Sequence, residues 1–339
     1  MPLVSVFKNR ILVRFFFLCG MMSRMFELIL IIFGLVVFEV VSSIDNAVVN
    51  ADVLATMKSA RAKRFFLTWG ILFAIFVVRG LLPSLIVFLA DPSIGVLGAF
   101  QAMWQSDPAV TTAVEAAAPT IMMAGGMFLL LLWLYWLFME DKEFGLPLER
   151  HIQTYGAVWF YAIASILLVG TLVEINNLII DKPMHLALAA AVGFSVFFIT
   201  QGFKENAEVI EERLIASGEG SEISDWAKVL FLEVIDMAFS VDGVVGAFAF
   251  TTVVPLILVG NGIGAIVVRQ LTVGNIDRIR SYAYLKNGAM YSIGFLGTVM
   301  MLEGFGAHIP SWVSPVVTMV VIGYFFWKSV AENNLVTQK

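Results

Sequence analysis

The sequence has one cysteine, Cys19, and three histidines, His151, His185 and His308, among 339 residues. A single thiol excludes an internal disulfide framework and a cysteine-based metal centre. The histidines fall in or beside loops, so an imidazole site for Zn²⁺, Cu²⁺ or Ni²⁺ inside the protein is not expected. Charge is scarce as well: charged residues make up 14% of the chain and hydrophobic residues 60%. A soluble globular domain averages ~25% and ~45–50%. No Gly-x4-Gly-Lys-Ser/Thr loop is present to hold a nucleotide, and no nucleic-acid partner is expected. No polar stretch is long enough to fold as a separate soluble domain.

What remains is a polytopic, all-α membrane protein whose first partner is the lipid bilayer. A spanning helix needs ~20 mostly apolar residues. That rule predicts nine spans, near 26–50, 65–90, 119–139, 155–180, 184–203, 226–250, 254–273, 284–302 and 312–330. Positive charge is absent from two loops, 91–118 and 303–311. It is dense at Lys58, Arg61, Lys63 and Arg64, and present in the 140–154 linker, the 204–225 linker and around Arg278 and Arg280. Short positive loops stay cytoplasmic, and their alternation fits nine spans with a cytoplasmic C-terminus. Residues 1–25 resist this scheme. Lys8, Arg10, Arg14 and Arg24 favour the cytoplasm, although the span count leaves the N-terminus outside. The patch RFFFLCGMM has a signal-like apolar core without a small-residue cleavage site. The Trp and Tyr cluster at 133–136 reads as an interfacial belt.

Carboxylates interrupt these apolar runs. Residues 38–48 read FEVVSSIDNAV and residues 235–245 read IDMAFSVDGVV. Aligned, Glu39 meets Asp236, Ser43 meets Ser240 and Asp45 meets Asp242. A second echo follows in the same order, VVRGL at 77–81 and VVRQL at 267–271, aligning Arg79 with Arg269. Two ordered matches carrying rare intramembrane charges indicate an internal duplication. The motif helices are five spans apart, an odd offset, so the copies cross the membrane in opposite directions. Inverted repeats place a binding site near the midplane, between the halves. The expected organisation is an N-terminal segment at 1–25, a first repeat of three helices at 26–139 and two connecting helices at 140–225. A second repeat of four helices at 226–330 and a cytoplasmic tail at 331–339 complete it.

A charged side chain at the centre of a span costs ~2.5–3.5 kcal/mol on insertion scales, so four in lipid would cost on the order of 10 kcal/mol. Glu39, Asp45, Asp236 and Asp242 must therefore face the protein interior, with Asn46 and Ser240 as polar companions. Glu233, Asp236 and Ser240 share one helix face at i, i+3 and i+7. Asp242 stands about 9 Å along the axis from Asp236 and ~120° round. A local unwinding in both copies, near Ser42–Asn46 and Ser240–Gly243, would bring the acids together. Clustered carboxylates favour a bound divalent cation. An all-oxygen donor set suits Mn²⁺, Ca²⁺ or Mg²⁺. The competing structural reading pairs Asp45 with Arg79 and Asp242 with Arg269, although Arg269, near the cytoplasmic end of its span, would then simply reach the interface.

These motifs resemble the TerC-like integral membrane proteins, grouped with the LysE-type transporters. The likeness continues through Gly260–Asn261, Arg269, YLKNGA at 284–289 and GFLGTVMM at 294–301. The resemblance implies export of a metal cation, Mn²⁺ first, from a bacterial inner membrane, with tellurite resistance as the family's older label. It also implies that Glu39, Asp45, Asp236 and Asp242 are the metal-site acids. This chain departs at Gly243, where relatives often carry a hydroxyl residue, and in the cation-poor loop 91–118.

The function expected is therefore a transporter exporting a divalent cation, with protons as the candidate coupling ion, no tightly bound cofactor and no enzymatic activity. One alternative is a resistance or scaffold protein that moves nothing. Another is an intramembrane aspartyl hydrolase, but the Gly-x-Gly-Asp signature is absent.

Overall fold

The computed structural model describes residues 22–337 apart from residue 23, 71–72, 74–80, 82–83, 87, 89–91, 93–94, 102–107, 141, 143–144, 179–182, 217–224 and 275–281. The side chain of Asp45, Arg79 with the VVRGL echo, and most of the second expected span lie outside the described residues.

Helices account for the described elements, and no strand occurs among the described residues. In chain order they are α1 (Arg24–Ser42), α2 (Ile44–Ala55) and α3 (Ala60–Phe65), which continues as a π-helical turn over Phe66–Gly70. Then follow α4 (Gly95–Gln101), α5 (Pro108–Phe138), α6 (Pro147–Gln153), α7 (Gly156–Asn177) and α8 (Pro183–Ala216). The last four are α9 (Asp225–Phe248), α10 (Val254–Gly274), α11 (Leu285–Gly304) and α12 (Val313–Thr337).

Five of these helices are long and apolar enough to cross a bilayer: Arg24–Ser42, Ala116–Phe138, Val158–Asn177, Pro183–Asn206 and Val313–Glu332, with a shorter apolar helix at Val254–Gln270. The protein is an all-α, polytopic bundle. Helices α9 and α11 coincide with the expected spans 226–250 and 284–302 but fall outside that set. α9 carries Asp225, Lys228, Glu233, Asp236 and Asp242. α11 is largely buried from Asn287 to Gly304. Their polar and small residues are tolerated because neighbouring helices, and not lipid, surround them.

Two boundaries differ from the sequence reading. α5 starts at Pro108, inside the expected 91–118 loop, and runs through Pro119; membrane helices tolerate proline when neighbours satisfy the freed carbonyl. α8 continues to Ala216, so the expected 204–225 linker is helical over its first half. Polar residues past an apolar run end a span, but they do not end a helix.

The core lies between α5, α8 and α11. Glycine allows α5 and α11 to touch: a Cβ at Gly126 would stand 2.7 Å from Met301 N, and one at Gly297 would stand 2.9 Å from Leu130 N. Small residues at such crossings let backbones approach within van der Waals range. Two of the 133–136 aromatics, at the end of the Ala116–Phe138 span, also pack here. Trp136 is buried with its ring 5.5 Å from Tyr291, and the Trp133 indole covers Gly294. α7 shows the opposite pattern, exposing Val158, Ile166 and Val169, as a lipid-facing helix should. The YLKNGA stretch docks α6 on α11: the Glu149 carboxylate accepts from Leu146 N and from Asn287 Nδ2, both at 2.8 Å, while Lys286 pairs with Glu140 at 2.8 Å.

Candidate functional site

The first motif sits where α1 gives way to α2. Ser43 is a turn residue between the helices, yet the backbone bonds Ser43 N to Glu39 O (3.1 Å) and Ala47 N to Ser43 O (3.0 Å) carry on through it. The break is thus one residue wide. The second copy is different: α9 runs without interruption through Ser240, Gly243 and Gly246, contrary to the expected unwinding. A glycine costs a helix only ~1 kcal/mol, less than a backbone group left unsatisfied in a bilayer. These glycines serve packing instead.

Glu39 shows what they accommodate. It is 1% exposed, and a Cβ at Gly243 of α9 would stand 2.6 Å from its Oε2, while a Cβ at Gly264 of α10 would stand 2.6 Å from its Cβ. One turn away, Gly246 makes room for Phe38 and Gly260 for Leu35. The Ser43 hydroxyl donates to Glu39 Oε1 at 3.1 Å. Gly243 is therefore no missing ligand. Its lack of a side chain is what admits the carboxylate. Gly243→Ser, which supplies the hydroxyl seen in the TerC-like pattern, should displace Glu39 and lower stability by about 1–3 kcal/mol. The midpoint of thermal unfolding of the purified protein measures this.

Asp236 is buried and accepts a hydrogen bond from Asn46 Nδ2 across the two motif helices. The Ser240 hydroxyl donates to Asp236 O at 2.6 Å, back-bonding within its own helix. Asp242 turns to another neighbour, as the ~120° offset along a straight helix requires. Its Oδ2 lies 2.5 Å from Lys204 Nζ of α8, with the two side chains only 8% and 13% exposed. The sequence reading offered Arg269 as the partner of Asp242, and the structure adds Lys204. Arg269 is 7% exposed. Its guanidinium lies 3.7 Å over the Phe66 ring and donates to Phe66 O, and both it and Glu233 approach Gly70. Arg269 thus holds the π-helical turn 66–70, and Glu233 lies against its last residue.

Several polar groups escaped the sequence reading as site members. Lys204 looked like part of a loop because the apolar run ends there. Asn50 lies one turn after Asn46, and Asn261 of α10 donates to Gly243 O at 3.4 Å. Both are buried. The side-chain oxygens of Asn46, Asn50 and Asn261 have no hydrogen-bond partner among the described residues. Their signal in the sequence was weak: an amide carries no charge, so it interrupts hydropathy little.

The two motif helices pack antiparallel, residues 38–59 against residues 225–246. Phe38 meets Gly246 and Glu39 meets Gly243; Asn46 meets Asp236; Lys228 Nζ donates to Thr56 O at 3.2 Å and to Thr56 Oγ1 at 2.9 Å. At the end of this series, Asp225 Oδ2 accepts from Lys58 N at 3.0 Å and Ser59 N at 2.6 Å. The first and second motif acids are each seated against the other helix, one residue past its aspartate: Glu39 on Gly243, Asp236 on Asn46.

The chemical capacity follows from these donors. Among the described residues no group of three or more His, Cys, Asp and Glu is gathered tightly enough to hold a metal by itself. The region instead disperses four formal negative charges, Glu39, Glu233, Asp236 and Asp242, against two positive ones, Lys204 and Arg269, with neutral amide oxygens between. The described excess is two negative charges.

Comparison with known proteins agrees with a membrane protein. An alignment over 85 residues, 25% of this chain, is 32% identical to the "Uncharacterized membrane protein YceF" of Bacillus subtilis (strain 168) and takes in 33% of that relative's length. No solved structure matches. The model of DUF475, a family described as protein of unknown function, matches residues 44–336. That match begins within the first motif and runs almost to the end of α12, and the chain accordingly belongs to the DUF475 family.

Proposed function

We propose that the protein is a secondary transporter that exports a divalent cation through a polar site between α1–α2, α9 and α10. One observation carries this reading: Glu39 and Asp236, buried on antiparallel helices, are each seated on the other motif, beside amide oxygens. An excess of two formal negative charges suits a doubly charged guest, and the all-oxygen donors favour a hard ion. Mn²⁺ is the preferred cargo, with Ca²⁺ and Mg²⁺ as competitors. The reciprocal contacts, Glu39 to Gly243 and Asp236 to Asn46, exchange when the two copies are superposed on the alignment. That supports an inverted repeat, a TerC-like affiliation and a carrier that rocks about its midplane. We place the carrier in a bacterial inner membrane with its C-terminus in the cytoplasm.

Reconstituted protein should take up Mn²⁺ into liposomes, and the uptake should respond to an imposed pH gradient if carboxylates exchange metal for protons. Asp45→Asn and Asp242→Asn should each abolish uptake while the protein still folds and inserts. Full uptake by either variant would defeat the proposal.

A further inference from the structure

We infer that Lys204 is a tethered stand-in for the transported cation: its ammonium holds Asp242 when the site is empty and yields that carboxylate to the incoming ion. The inference rests on the transport reading above. Lys204 belongs to α8, outside both motif helices, and reaches Asp242 across 38 residues of sequence. Both side chains are buried at 2.5 Å. Burying such a pair is costly, and apolar replacements are often as stable or more so, so packing alone does not explain it. An intramembrane lysine facing an acid is expected to have a working role.

The neighbourhood says which role. Asp242 immediately precedes Gly243, the seat of Glu39, so Lys204 stands at the margin of the acid set. Three acids have resident protein partners: Ser43 for Glu39, Asn46 for Asp236 and Lys204 for Asp242. Lys204 is the only one of these three that carries charge. A lysine ammonium is a compact point charge on a flexible stem, able to leave the carboxylate when a divalent ion arrives and to return when it departs. No covalent bond changes in this exchange. Its consequence is kinetic. The carrier can reorient without cargo because Asp242 never crosses the low-dielectric interior bare.

The test separates empty return from loaded exchange. Purified wild type, Lys204→Met, Lys204→Gln and Lys204→Arg are reconstituted, and two rates are read with radiolabelled Mn²⁺. One is net uptake into Mn²⁺-free liposomes; the other is exchange with equal Mn²⁺ on both sides. Equilibrium Mn²⁺ binding is measured on the same proteins. The neutral variants should lose net uptake by about tenfold or more, keep exchange within about twofold, and bind Mn²⁺ about tenfold more tightly, since a competing charge a few ångströms away is gone. Lys204→Arg should keep net uptake. Parallel loss of both rates with unchanged binding, or full net uptake by the neutral variants, overturns the inference. A wild type that shows neither rate nor binding defeats the transport reading itself, which is a different outcome from a wild type that works and variants that do not split.

Discussion

Glu39→Gln should reduce Mn²⁺ transport by about 100-fold, equivalent to about 3 kcal/mol for one charged ligand, while leaving the protein folded. The side chain is 1% exposed and fills the gap between Gly243 and Gly264. Glutamine has the same length and keeps an oxygen to accept from the Ser43 hydroxyl, so packing is preserved and the charge is lost. Asp236→Asn should behave the same way, for the Asn46 amide can still donate to the remaining carbonyl oxygen. The initial rate of radiolabelled uptake, read beside the thermal unfolding midpoint, distinguishes this outcome from misfolding. A large fall in rate with an unchanged midpoint is expected. A fall in both would assign Glu39 a packing role only.

Gly297→Val should lower stability sharply, by about 3 kcal/mol or more. A Cβ at this position would stand 2.9 Å from Leu130 N and 3.1 Å from Leu129 Cβ. Both near neighbours belong to α5, one of them backbone, and neither can rotate away. Across the contact, a Cβ at Gly126 would stand 3.0 Å from Gly297 O, so the crossing has glycine on both sides. Valine can enter only by separating α5 from α11, which opens voids along the central interface and forfeits dispersion contacts there. Gly297→Ala should cost less, because one methyl needs a smaller shift. Neither residue touches the acids, so molecules that do fold should bind Mn²⁺ as the wild type does. Size-exclusion profiles and unfolding midpoints in detergent measure the first effect, and equilibrium binding measures the second.

These two variants also mark what could be read without coordinates. Glu39, Asp45, Asp236 and Asp242 stood out because charge inside an apolar run is rare and expensive. The helices stood out because spanning a bilayer demands length and apolarity together. Gly243 was visible but ambiguous: in one dimension a glycine in a helix reads as a weak point or a lost hydroxyl, and in three dimensions it is the space that Glu39 occupies. Lys204 was misread because a lysine at the end of an apolar run normally reaches the interface. The further helical turns of α8, to Ala216, and the approach of α9 keep it inside. The contact of Trp136 with Tyr291 was hidden for a related reason, since nothing local distinguishes a ring facing headgroups from one facing α11.

By itself the sequence determined that this chain enters a membrane, that its apolar runs are helical and which of them carry acids. All three follow from transfer free energy, a property that each stretch of residues has alone. Tertiary structure alone decided the partners: Asn46 for Asp236 across 190 residues, Lys204 for Asp242 across 38, and Gly243 as the seat of Glu39. Such pairings depend on which faces of two helices are opposed at contact, and that is a property of neither helix until they pack.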